Sequence, residues 1–117
     1  MESKEGGIIM LTINIAKDFS KSPGGRYTKE GNFSGEQFRE EVLKKAFEDS
    51  KRRGVKLIID LDGGYGYGSS FLEEAFGGLA RETKDPALMD ILIISEEEPS
   101  LVDDVKDYIR NGLNWKQ

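Results

Sequence analysis

The chain has 117 residues, of which 37% are hydrophobic and 33% charged, the size and balance of one globular domain. Its formal charge of −5 argues against general nucleic-acid binding, and the lack of cysteine and histidine excludes disulfides, thiolate zinc sites and Ser-His or Cys-His catalysis. No apolar run approaches the roughly 18 residues of a membrane span, and the charged start is no signal peptide, so a cytoplasmic address is the default expectation.

Residues 1–7 (MESKEGG) read as a flexible leader, and 8–117 as a single domain. Residues 8–15 (IIMLTINI) predict a strand, with Ile9, Leu11, Ile13 and Ile15 on one face and Ile8, Met10, Thr12 and Asn14 on the other. Residues 18–32 form a long polar connection that turns at Pro23-Gly24-Gly25. Arg26-Tyr27-Thr28 is a candidate short edge strand within it, and Phe19 and Phe33 are expected to pin its ends to the core. Ser34 then opens a helix, with Gln37 at capping-box spacing. Phe38, Val42, Leu43, Ala46 and Phe47 give that helix an apolar stripe, and Gly54 ends it. The basic set Lys44, Lys45, Lys51, Arg52 and Arg53 sits among glutamates and reads as a solvated face.

The organising stretch is 55–81, VKLIIDLDGGYGYGSSFLEEAFGGLAR. Val55, Leu57, Ile58, Ile59 and Leu61 predict a buried strand, parallel to the first because a helix connects the two. Asp60 and Asp62 fall at its carboxyl end, where open α/β sheets hold their ligands. A turn follows that spends Gly63, Gly64, Gly66 and Gly68 on backbone freedom and offers Tyr65 and Tyr67 as aromatic surface. Ser69 and Ser70 begin the next helix, with Ser70 and Glu73 at capping-box spacing and Glu73 and Glu74 favourable to the helix dipole. Gly77-Gly78 inside the helix implies close approach by the sheet or a partner. Residues 89–94 predict a third strand, and Pro99-Ser100 a last helix that Gly112 stops; Trp115 is expected to fold back. The pattern is α/β: a small, mostly parallel sheet with helices packed on it, in the order β-(β)-α-β-α-β-α.

Three chemistries bear on the turn. A nucleotide site fits poorly, since G-x-G-x-G lacks the dinucleotide spacing and no G-K-S or G-K-T follows. A nucleophile elbow lacks its closing glycine and a histidine base. Asp60, Asp62, Glu73 and Glu74 could hold magnesium, but turn formation and dipole pairing explain them more simply. No enzyme, cofactor or metal is therefore expected. The acidic set Glu96, Glu97, Glu98, Asp103, Asp104 and Asp107 reads as solvated surface.

The order of elements is similar to the STAS domain of bacterial anti-sigma factor antagonists, in which a strand leads to a D-S-S-G or D-S-T-G turn phosphorylated by a partner kinase. Three segments, PGGRY from Pro23, FSGEQFR from Phe33 and YGSSFLEEAFGGL from Tyr67, more closely resemble the bacterial STAS-like family of uncharacterised function, over about residues 13–81. By this resemblance Ser69 takes the position of the phosphorylated hydroxyl and Ser70 the next. Gly68 stands where the antagonists carry Asp, and Phe71 where they carry Gly. The resemblance implies a regulatory module of the STAS-like fold whose partner is a histidine-kinase-type ATPase or a serine kinase. Its contact surface would include Tyr65, Tyr67, Gly68, Phe71, Asp60, Asp62, Glu73 and Glu74. The rival expectation is a small-molecule, phosphate or nucleotide site, with Arg26 facing the helix start as a bidentate anion partner.

Overall fold

The computed structural model describes residues 2–116. Four strands form one sheet in the order β1-β2-β3-β4: Glu2–Glu5, Ile8–Asn14, Lys56–Asp60 and Leu92–Ile94. β1 runs antiparallel to β2, while β2, β3 and β4 are parallel. The sheet is thus mostly parallel, as expected, with helices connecting its parallel strands. Helix α1 is one turn, Ile15–Asp18. α2 (35–53) and α3 (69–83) each carry one π-helical turn, at Arg39–Leu43 and Glu73–Gly77, and α4 is Ser100–Leu113.

The N-terminal residues correct the expectation of a leader, because Glu2–Glu5 pair with Ile8–Leu11 as strand β1. Gly6 and Gly7, both at positive φ, make the two-residue turn whose twist matches a hairpin. The extra strand lies here and not at Arg26-Tyr27-Thr28, which leads into a 3-10 turn at Thr28–Glu30. β2 stops one residue earlier than the apolar run does. The Asn14 side chain caps α1 by accepting from the Lys17 amide (2.8 Å), while the Asn14 amide donates to Asp18. Ile15 is therefore a buried helical residue. The third parallel strand is shorter than predicted, since Asp85 and Pro86 start a 3-10 turn, Pro86–Asp90, that consumes its first residues.

α2 begins where predicted. Ser34 accepts from the Gln37 amide (3.0 Å), although Gln37 reaches back to the amide of Phe33 (2.9 Å) and not to Ser34 itself. Gly54 ends α2 at φ +67. Phe38, Leu43 and Phe47 from α2 pack with Leu57, Ile59 and Leu61, with Phe71, Leu72, Phe76 and Leu79 from α3, and with Val105 and Ile109 from α4. Gly112 does not stop α4. It lies inside the helix, where a Cβ would come within 2.5 Å of the Gly77 carbonyl oxygen, so α3 and α4 approach closely there. Trp115 stays 47% exposed, held by Lys84, whose ammonium lies 5.7 Å from the ring centroid and bonds the Trp115 carbonyl. Four of the five residues in the basic set of α2 are paired: Lys44 with Glu82, Lys51 with Asp85, Arg52 with Asp49, and Arg53 with Glu2 and Asp49.

Candidate functional site

The glycine-rich turn is anchored from three sides. Asp60 Oδ1 accepts from the Asp62 amide (3.0 Å), and Asp62 in turn accepts from the Ser95 hydroxyl (2.7 Å) and the amides of Glu96 (2.7 Å) and Glu97 (3.2 Å). The two aspartates thus act as turn formers that tie the ends of β3 and β4 together. The amides of Glu96 and Glu97 and the Ser95 hydroxyl hold the Asp62 carboxyl below its ordinary range. On the second side Gly63 donates to Glu97 Oε1 (2.7 Å), and on the third Tyr65 donates to the Lys21 carbonyl (2.8 Å) in the long connection. A Cβ on Gly64 would sit 3.0 Å from that same Lys21 oxygen, which is the steric reason for one of the four glycines.

The two tyrosines divide their work. Tyr67 stacks on Phe71 (5.9 Å between centroids) and donates to the Leu61 carbonyl (2.8 Å); burial, with Asp60, Asp62 and Glu97 nearby, pushes its phenol well up. It is structural. Tyr65 is 83% exposed and stands out from the anchored turn. Phe71 is fully buried, in a ring cluster with Phe19 and Phe38, and so supports the surface without being part of it. Phe19 also packs edge-on against Phe33 (5.5 Å), which fastens the long connection at both ends as its sequence implied.

Helix α3 starts differently from its predicted cap. Gly68 is the N-cap residue and has no side chain to offer, while Ser69 and Ser70 are the first two helical residues. Both are exposed, and neither hydroxyl makes a hydrogen bond within the described residues. Glu73 does not reach back to close a capping box, because it is committed elsewhere: it pairs with Arg26 and Arg81. Glu74 accepts from Arg39, and from Arg26 at 3.2 Å.

These five groups form a half-buried ion network between α2, α3 and the long connection. Arg26 is brought to it by its own backbone, since Gly25 and Arg26 carbonyls accept from the first amides of α2, Gly35 (2.9 Å) and Glu36 (3.0 Å). Gly77-Gly78 supplies the room. A Cβ on Gly77 would meet Glu73 Oε2 at 2.5 Å, and one on Gly78 would meet Arg39 Nη1 at 2.6 Å. The glycine pair thus makes space for carboxylates, guanidinium groups and α4, and not for the sheet. Burial works against the Glu73 charge, yet Arg81 and Arg26 outweigh it and hold the carboxyl below its ordinary range. The sequence alone does not mark Arg39 or Arg81; the signal for Arg81 is its place two turns beyond Glu73, across Gly77-Gly78. Both π turns border this network, and such turns often mark functional segments.

The arrangement bears on the anion reading. Arg26 does face α3, but its charge is spent on two carboxylates. The space under Tyr65 and Tyr67 is about 170 Å³, and the larger hollow of about 650 Å³ beside β4 is lined by Asp60, Asp62 and Glu96. Neither offers an anion a free cation.

A family model described as a STAS-like domain of unknown function (DUF4325) matches residues 34–101. The chain belongs to this family. The match runs from the cap of α2 through the turn and the ion network to the first turn of α4, so the whole candidate site except Arg26 lies inside the STAS-like core. Neither a curated protein nor a solved structure matches the chain. No helix among the described residues is long and apolar enough to cross a membrane.

Proposed function

We propose that this STAS-like domain is a non-enzymatic regulatory module that binds a protein partner through the Gly63–Gly68 turn and the start of α3. Phosphorylation of Ser69 or Ser70 is its switch. The observation that supports this most is the pair of exposed serine hydroxyls without protein partners at the first two positions of a 15-residue helix, beside the 83% exposed Tyr65. A phosphate at a helix start is favoured by the dipole and adds nearly two negative charges to the surface a partner would read. Ser70 lies three residues before Glu73 and four before Glu74, on the same helix face, so its phosphate would also compete for Arg26. By the family resemblance the partner is a histidine-kinase-type ATPase or a serine kinase acting in a cytoplasmic signalling path. The rival ligand-binding reading is weakened by the commitment of Arg26 to Glu73 and Glu74.

The test has two arms. Intact-mass analysis of the chain from its source cells, followed by mapping, should find one phosphate on Ser69 or Ser70 in at least one growth condition. Ser69→Asp should change the set of co-purifying proteins at unchanged thermal stability. An unmodified chain throughout, together with an unaltered set for Ser69→Asp and Ser70→Asp, overturns the switch.

A further inference from the structure

The helices that build the core all pack on the side of the sheet that carries Leu57, Ile59 and Ile93. The other face is readable from strand register. β3 presents Lys56, Ile58 and Asp60 there, β2 sets Met10, Thr12 and Asn14 beside them, and β4 adds Leu92 beside Ile58 and Ile94 beside Asp60. Met10, Ile58, Leu92 and Ile94 lie outside the core cluster; Ile58 is already buried at 9% between its strand neighbours, while Leu92 and Ile94 are 41% and 40% exposed. A contiguous apolar strip therefore crosses this face, with one lysine and one aspartate flanking Ile58 along β3.

We propose that this face binds a second copy of the chain, sheet on sheet, about a two-fold axis that lies between the sheets and across the strands. The charge pattern selects that occupant and that axis. With β3 antiparallel to its symmetry mate, Ile58 meets Ile58, Leu92 (level with Ile58) meets Leu92, and Lys56 meets Asp60 twice, so one patch is complementary to itself. An axis running along β3 would instead oppose Lys56 to Lys56 and Asp60 to Asp60, with β4 over β2. Lys56 retains hydrogens for the pairing, since its ammonium spends one on the Asp90 carbonyl (2.6 Å). Aligned packing of two twisted sheets at about 10 Å is a common architecture for such faces. The turn and α3 start lie at the end of the sheet and stay free, so this inference does not rest on the proposed switch.

Sedimentation velocity of the full chain over a concentration series tests it. The wild type should shift from monomer to dimer as concentration rises. Leu92→Lys with Ile94→Lys, both at exposed edge positions, should sediment as a monomer throughout with unchanged circular dichroism. Lys56→Asp should reduce the dimer fraction several-fold, and it carries the test if the double variant does not fold. A wild type that stays monomeric at every concentration overturns the proposal. So does a folded double-lysine variant, or a Lys56→Asp variant, that dimerises as the wild type does.

Discussion

Replacing Gly112 by alanine tests how α3 and α4 meet. The new methyl would lie 2.5 Å from the Gly77 carbonyl oxygen, 2.7 Å from Ala80 Cβ and 3.3 Å from the Arg81 nitrogen. Each is inside the ~3.5–4.0 Å of ordinary carbon contact. Overpacking of this kind costs about 1–3 kcal/mol, and two of the three neighbours are backbone, which yields least, so the upper end applies. Alanine returns about 1 kcal/mol of helix propensity relative to glycine, leaving a net loss of about 2 kcal/mol. For 117 residues the unfolding entropy is about 0.25 kcal/mol/K, so the melting temperature should fall by about 8 °C. Differential scanning calorimetry at neutral pH reads this directly. Gly112 has no positive φ, so as a plain helix residue it would gain from alanine. An unchanged or raised melting temperature would refute the close-packing argument.

Two further perturbations address the ion network. Glu74→Gln removes the buried carboxylate partner of Arg39, whose side chain is 13% exposed, and leaves it only the more exposed Glu40 and Glu82; it should destabilise the fold by about 1–3 kcal/mol in urea titration, above the ~1 kcal/mol of a surface pair. For Glu73 the folded carboxyl titrates below its unfolded value near 4.5, so its stabilisation is complete above pH 4.5 and is lost as pH falls through the lower folded value. Glu73→Gln should therefore lower the urea midpoint at pH 7, and the gap to the wild type should close below pH 4.5. A gap that is constant with pH would contradict the ion-pair assignment.

Local signals carried much of the fold. Ser34, Gly54 and the apolar runs at 57–61 and 8–14 each follow from spacing and backbone chemistry, and they set the parallel β2-α2-β3 unit. The misplaced second strand shows what composition hides: Glu2–Glu5 is too polar to look like a strand, yet Gly6-Gly7 is a hairpin turn, and a polar edge needs no apolar pattern. Gly112 looks like a helix stop in sequence because its neighbours do not reveal that Gly77 lies opposite. At the site, the exposed Tyr65 and the helix start were legible from the glycine turn. The network was not, because Arg26, Arg39 and Arg81 converge from three segments only after α2 and α3 pack, and Glu73 serves them at the expense of the predicted capping box.

The measurement that bears most directly on the interaction surface is site-specific photocrosslinking in the source cells. A photoreactive side chain at Tyr65 samples the turn, and the same group at Lys45 on α2 is the control. The account predicts discrete protein adducts at Tyr65 that Ser69→Asp alters and that are missing at Lys45. Equal labelling at both positions, or none at Tyr65 in any growth condition, would contradict it.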